Sequence, residues 1–173
     1  EPLDPDVTLT YAGEAQQFEL DLNDDGTVDF LLQVGTQTMT WATSGGIHVD
    51  YYYREVRPIP QAWPGSVGTG RNRVLGDWQA QALNSNYLIG PPYSSWRNDS
   101  NIWMAWQGSL VKSTGDVEPA AGGLFLGRNR KMLGLAFNLA DGWHYGWCRV
   151  SVDQASRSFT VHDYAYETNP ETP

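Results

Sequence analysis

The stretch "MLGLAFNLADGWHYGWCRVSV", Met132 to Val152, reads as two strands folded on a tight turn. Leu133, Leu135, Phe137 and Leu139 recur at every second position on the first arm, and His144, Gly146, Cys148 and Val150 do so on the second. Period two is the signature of a strand with one buried face. Asp141-Gly142 suits a two-residue type I′ turn, which wants positive φ at both positions. That turn predicts Leu139 opposite His144, Phe137 opposite Gly146, Leu135 opposite Cys148 and Leu133 opposite Val150. On the other face it sets Trp147 over Ala136 and Arg149 over Gly134. After the "DQASR" turn, "SFTVHDYAYE" reads as a closing strand beside this hairpin.

The same alternation returns at the other end of the chain. Phe18, Leu20 and Leu22 interleave with Glu19 and Asp21, and past an acidic turn Val28, Phe30, Leu32 and Val34 repeat the pattern. "TQTMTWA" and "IHVDYYYREV" read as a second strand pair across "TSGG". Residues 57–130 are rich in turn chemistry and read as long loops, with one short helix over "DWQAQAL" capped by Asp77. "GRNRVLG" and "GRNRKMLG" resemble each other, either as a duplicated element or as two similar strand beginnings. The chain of 173 residues holds 18 Gly, 10 Pro and 22 aromatic residues, which suits strands joined by many turns. The expectation is one domain, 1–173, an antiparallel β-sandwich, jelly-roll-like, with long loops and at most one short helix. Within it lie a first hairpin (18–34), a loop-rich middle (57–130) and a C-terminal hairpin with closing strand (132–167).

A formal charge of −9 argues against nucleic acid, whose phosphates would be repelled. No run reaches the ~18–20 apolar residues that span a bilayer as a helix. The single cysteine, Cys148, excludes an intrachain disulfide and reads as a small buried hydrophobe.

The acidic turn "DLNDDGTVDF" places Asp21, Asn23, Asp25, Gly26 and Asp29 at positions 1, 3, 5, 6 and 9 of a loop. Such alternation brings hard oxygens to one point, Gly26 permits the sharp turn, and the Thr27 carbonyl adds a ligand. That is calcium chemistry. Leu32 stands where an EF-hand needs its bidentate glutamate, and the flanks are strands. The loop is therefore not an EF-hand and is similar to the β-hairpin calcium loops of FG-GAP repeats. The plain reading is a solvated hairpin tip built from turn-forming residues.

Signs of catalysis are absent from the sequence motifs: no Gly-x-Ser-x-Gly elbow, no His-Glu-x-x-His pair and no phosphate-binding glycine loop. His48, His144 and His162 are too scattered for a local metal motif, and His144 reads as a hydrogen-bonded structural residue. Trp63, Tyr93, Trp96, Trp103 and Trp106 lie in the irregular middle. Indole and phenol faces on rigid loops stack on sugar rings. The competing reading is that they fill the core beneath those loops.

The segments "LGLAF", "HYGW" and "DYAYE", together with Asp21, Asn23, Asp25, Gly26, Asp29 and Phe30, resemble exported bacterial proteins of the PEP-CTERM-associated type. The likeness covers about half the chain, most specifically its last 45 residues. The resemblance implies a β-sandwich and a mature exported chain whose signal has been removed, placed at the cell envelope or outside it. The functional expectation is a calcium-binding module that holds extracellular polysaccharide or matrix through loop aromatics. The alternatives are a self-associating structural subunit of a surface coat, and a carbohydrate-active enzyme.

Overall fold

In the computed structural model the described residues are 2–42, 48–61, 71–91, 95–99, 102–112 and 114–172. They form twelve strands: β1 (Pro2–Thr10), β2 (Gln16–Leu20), β3 (Phe30–Ala42), β4 (His48–Pro60), β5 (Arg73–Leu75), β6 (Ala82–Leu83), β7 (Trp96–Arg97), β8 (Ala105–Lys112), β9 (Val117–Gly122), β10 (Lys131–Leu139), β11 (Gly142–Val152) and β12 (Ser158–Tyr166). One sheet runs β1-β12-β11-β10-β5-β7, with β6 also on β10, and the other runs β2-β3-β4-β8-β9. All strand pairs are antiparallel. The two sheets pack into a β-sandwich. Each contains a three-strand meander, β2-β3-β4 and β10-β11-β12, of neighbours in sequence.

The core between the sheets takes the alternating residues read from the sequence. Leu20, Phe30, Leu32, Val34 and Val56 from one sheet meet Leu133, Leu135, Phe137, Cys148, Val150 and Val161 from the other. Phe30, Phe125, Phe137 and Phe159 are wholly buried; each such side chain is worth about 1.5–3 kcal/mol of transfer free energy. Burial also pushes the Cys148 thiol upward and leaves it inert.

Three expectations need correction. The C-terminal hairpin pairs Leu139 with Gly142, Phe137 with His144, Leu135 with Gly146 and Gly134 with Trp147. The turn is therefore Ala140-Asp141, two residues from the expected register. Neither Ala140 nor Asp141 has positive φ, whereas Gly142 does (137°). The Asp141 carboxylate is engaged by His144 Nε2 at 2.9 Å, which holds the turn in place. A shift of two keeps every side chain on its predicted face.

The stretch "DWQAQAL" is not a helix, and no helix occurs among the described residues. Ala80 belongs to the core between the sheets, while Leu83 packs with Leu75, Ile89, Met132, Ala136 and Tyr145 in a second cluster. Residues three apart on a helix share a face, so a helix could not serve two separate cores. The middle is also less loop-like than expected, because β8 and β9 form a hairpin with Trp106 opposite Gly122 and Val111 opposite Val117. The two Gly-Arg-Asn-Arg segments lead into β5 and β10, which pair with each other. They are similar strand beginnings.

Candidate functional site

Two regions gather residues singled out above. The first is the turn between β2 and β3. Asp21 accepts the N–H groups of Asp25 (3.2 Å) and Gly26 (2.8 Å), one on each carboxylate oxygen. Asp25 accepts the Thr27 N–H at 2.8 Å and the Asn23 side-chain amide at 2.9 Å. The Asn23 contact, with the Thr27 N–H, holds the Asp25 carboxyl below its usual range. Asp24 (φ 58°) and Gly26 (φ 84°) supply the left-handed backbone of the turn.

Asp29 is buried, with Oδ2 accepting the Leu22 N–H at 2.9 Å and Oδ1 accepting Asn72 Nδ2 at 3.1 Å. Burial, with smaller contributions from Asp21 and Asp25, raises its carboxyl to about 6. Asn72 carries the loop across to the other sheet: its Oδ1 accepts the Asn138 N–H of β10 at 3.2 Å. The Asn23 side-chain oxygen is buried and has no hydrogen-bond donor. Among the described residues no three Asp, Glu, His or Cys side chains converge on one metal-sized point. The carboxylates are organised by N–H groups, all from their own loop apart from the Asn72 amide on Asp29.

The second region lies on the face of β4 and β8 turned away from the core. Val56 and Ala105 are a cross-strand pair in the core, so by alternation Glu55 and its partner Trp106 stand on the opposite face. Tyr53 contacts Trp103 edge-on at 6.1 Å and Trp106 at 6.0 Å between ring centres. Trp103 Nε1 donates to Glu55 Oε2 at 2.9 Å. Burial raises the Glu55 carboxyl; Arg57, 3.1 Å away, and the indole N–H oppose that shift without cancelling it. Gln33 accepts from Arg57 at 2.9 and 3.1 Å. Gly122 makes room for Trp106: a Cβ there would lie 2.8 Å from the indole nitrogen.

On the opposite face of these strands, the side that carries Val56 and Ala105, opens a cavity of about 390 Å³ lined by Thr36, Thr38, Arg54, Gln107 and Ser109. Arg54 and Gln107 are cross-strand partners. Arg54 Nε and Gln107 Oε1 are buried, and neither has a hydrogen-bond partner.

The five aromatic residues separate. Trp103 and Trp106 come together around Tyr53. Trp96 lies on the other sheet, tilted against Tyr145 at 5.7 Å in the second cluster. Trp63 and Tyr93 lie outside the described residues. Arg54, Glu55 and Gln107 were missed because their role depends on pairing between β4 and β8, which no local pattern announces. His144 is buried as expected, with its ring nitrogens 2.9 Å from Asp141 Oδ1 and 3.0 Å from the Glu167 carbonyl. No helix of the described residues is long and apolar enough to cross a membrane. Comparison with protein families, with curated proteins and with solved structures finds no match in any of the three.

Proposed function

We propose that this protein is an exported β-sandwich module that binds extracellular polysaccharide on the face formed by Tyr53, Trp103 and Trp106. The observation that carries this reading is the gathering of Tyr53, Trp103 and Trp106 on the outer face of β4 and β8. Their rings offer the apolar faces that sugar rings stack against. Retention on polysaccharide affinity gels tests the reading. Trp103→Ala and Trp106→Ala are expected to weaken retention at least tenfold. Trp96→Ala is expected to lower the melting temperature without changing retention on a per-folded-molecule basis. No retention on any polysaccharide, or retention indifferent to Trp103 and Trp106, overturns it.

The same module carries a calcium ion in the β2–β3 turn, held by Asp21, Asn23, Asp25, the Thr27 carbonyl and Asp29. In support stand the all-oxygen donor set, the Asn23 oxygen without a donor and the crowded negative charge at Asp29. A melt raised by several degrees in calcium over chelator, together with about one calcium per chain by metal analysis, is the expected result. An unchanged melt and a metal-free protein return the loop to an ordinary hairpin tip.

A further inference from the structure

Across β1, β12 and β11 runs a line of polar side chains that belongs to neither region above. His162 Nδ1 lies 2.6 Å from Asp6 Oδ2, and its Nε2 lies 2.7 Å from Ser151 Oγ. Their placement follows from the backbone. Val150 pairs with Val161 and Arg149 with Asp163, so His162 is the extra residue of a bulge. Bulges re-aim side chains. Val150, Val152, Phe159 and Val161 point into the core, and Ser151 and His162 stand on the outer face. The imidazole is 7 % exposed. Ser151, by contrast, borders an open cavity of about 360 Å³ with Arg128, Asn129, Asp153 and Thr160.

The contrast with His144 is instructive. There the ring faces a carboxylate and a backbone carbonyl, two acceptors, so both nitrogens are held as donors. At His162 one nitrogen faces a carboxylate and the other a hydroxyl, which can donate to it. Ser151 Oγ also accepts the Arg130 N–H at 3.0 Å and lies 2.6 Å from Asn129 Oδ1. Its single proton serves either Asn129 or His162. When His162 is charged, Nε2–H donates to Ser151 and the hydroxyl proton goes to Asn129. When His162 is neutral, Nδ1–H stays on Asp6, and the hydroxyl donates to Nε2 once the Asn129 amide presents its NH₂ end.

We propose that Ser151 is a nucleophile, with His162 as its general base and Asp6 as the carboxylate that orients the ring, and that the protein hydrolyses carboxylic esters. This is the arrangement by which hydrolases of unrelated folds activate a serine, defined by geometry and not by sequence order. Ser151 Oγ attacks the ester carbonyl carbon as its proton passes to His162 Nε2. The tetrahedral adduct collapses, the bond to the alcohol oxygen breaks, and His162 returns the proton to the departing alcohol. Water then attacks the acyl-serine, giving one proton to His162, and collapse releases the acid and restores the Ser151 hydroxyl. No proton passes to Asp6 in either half of the cycle. Arg128 and Asn129 line the cavity beside Ser151, and acetyl, a minimal acyl group, serves as the first probe. This proposal stands independently of the calcium and polysaccharide reading.

The test uses the full chain with a fluorophosphonate probe, followed by intact mass and peptide mapping, and p-nitrophenyl acetate turnover. One adduct per chain on Ser151 is expected. The charged groups facing that ring are Asp6 on β1, Arg130 before β10, and the Arg149–Asp163 pair of β11 and β12. Ser151→Ala is expected to abolish labelling and turnover. Asp6→Asn is expected to lower turnover by about 10²–10⁴, while the remote Ser85→Ala leaves it unchanged. A folded wild-type chain unlabelled at pH 8, an adduct on another residue, or turnover surviving in folded Ser151→Ala overturns the proposal. The labelling arm needs no variant, so a variant that fails to fold leaves the test intact.

Discussion

Asn72→Leu removes a buried polar clip between the two sheets and nearly conserves volume. Asn72 is 1 % exposed. It donates to the Asp29 carbonyl at 3.2 Å and to Asp29 Oδ1 at 3.1 Å, and it accepts the Asn138 N–H at 3.2 Å. The Asp29 carbonyl keeps a second donor, the Gln61 N–H at 3.0 Å. Two groups lose their partners: Asp29 Oδ1 and the Asn138 N–H. At about 1–3 kcal/mol for each buried group left unsatisfied, partly offset by the added apolar contact, the net loss is about 3 kcal/mol. For a chain of this size that corresponds to about 6–12 °C in melting temperature. Urea unfolding followed by tryptophan fluorescence measures it directly, and an unchanged m-value keeps the comparison two-state. A loss below about 1 kcal/mol at unchanged m would mean that both groups find other partners. The clip would then be no part of what holds the acidic loop to the sandwich.

His144 is raised above the ordinary histidine value. Burial opposes the charge, and the Asp141 carboxylate and Glu167 carbonyl outweigh it. Its stabilisation is therefore full below the unfolded value of 6.5 and lost as pH rises through the higher folded value. Melts of the native chain and His144→Gln are expected to converge as pH rises from about 6 to 8; curves that stay parallel would refute this. Gly123→Ala places a Cβ 2.3 Å from the Met104 carbonyl oxygen at φ 101°. A loss of at least about 3 kcal/mol is expected in urea unfolding, and near-native stability would contradict the close approach. Cys148, buried and with its thiol pushed upward, is expected to resist a thiol reagent until the chain unfolds. Labelling in the native state at the rate of a free thiol would place it elsewhere.

What the sequence revealed follows physical range. The alternation of Leu133, Leu135 and Phe137, and of Phe18, Leu20 and Leu22, is local, and from it come both sheets and the side of each that is buried. The hairpin register was not legible, because a slip of two preserves every face. Asp141 had to be claimed by His144 before the turn was settled. The β8–β9 hairpin escaped notice because β9 is an exposed edge strand carrying Glu118 and Pro119. Charge and proline protect such an edge from further pairing, and for the same reason they hide it from an apolar pattern. The acidic loop was readable because its partners lie within eight residues of each other. Asn72 meets Asp29 across 43 residues and Asn138 across 66, and His162 meets Asp6 across 156. No window along the chain contains such pairs.

The pairing of β1 with β12 joins the first strand to the twelfth, with Thr8 opposite Thr160 and Leu9 opposite Phe159. During synthesis the β2-β3-β4 meander can form as soon as its own residues emerge, but β1 must wait for β12, the twelfth strand in chain order. Closing so long a loop is entropically slow, and until it closes the free side of β12 is an open strand edge. The seating of β1 is therefore expected to follow the formation of both meanders. Because Asp6 arrives on that strand, the Asp6–His162–Ser151 line is assembled only when β1 has paired with β12. Fluorophosphonate labelling during refolding would then serve as a clock for that step.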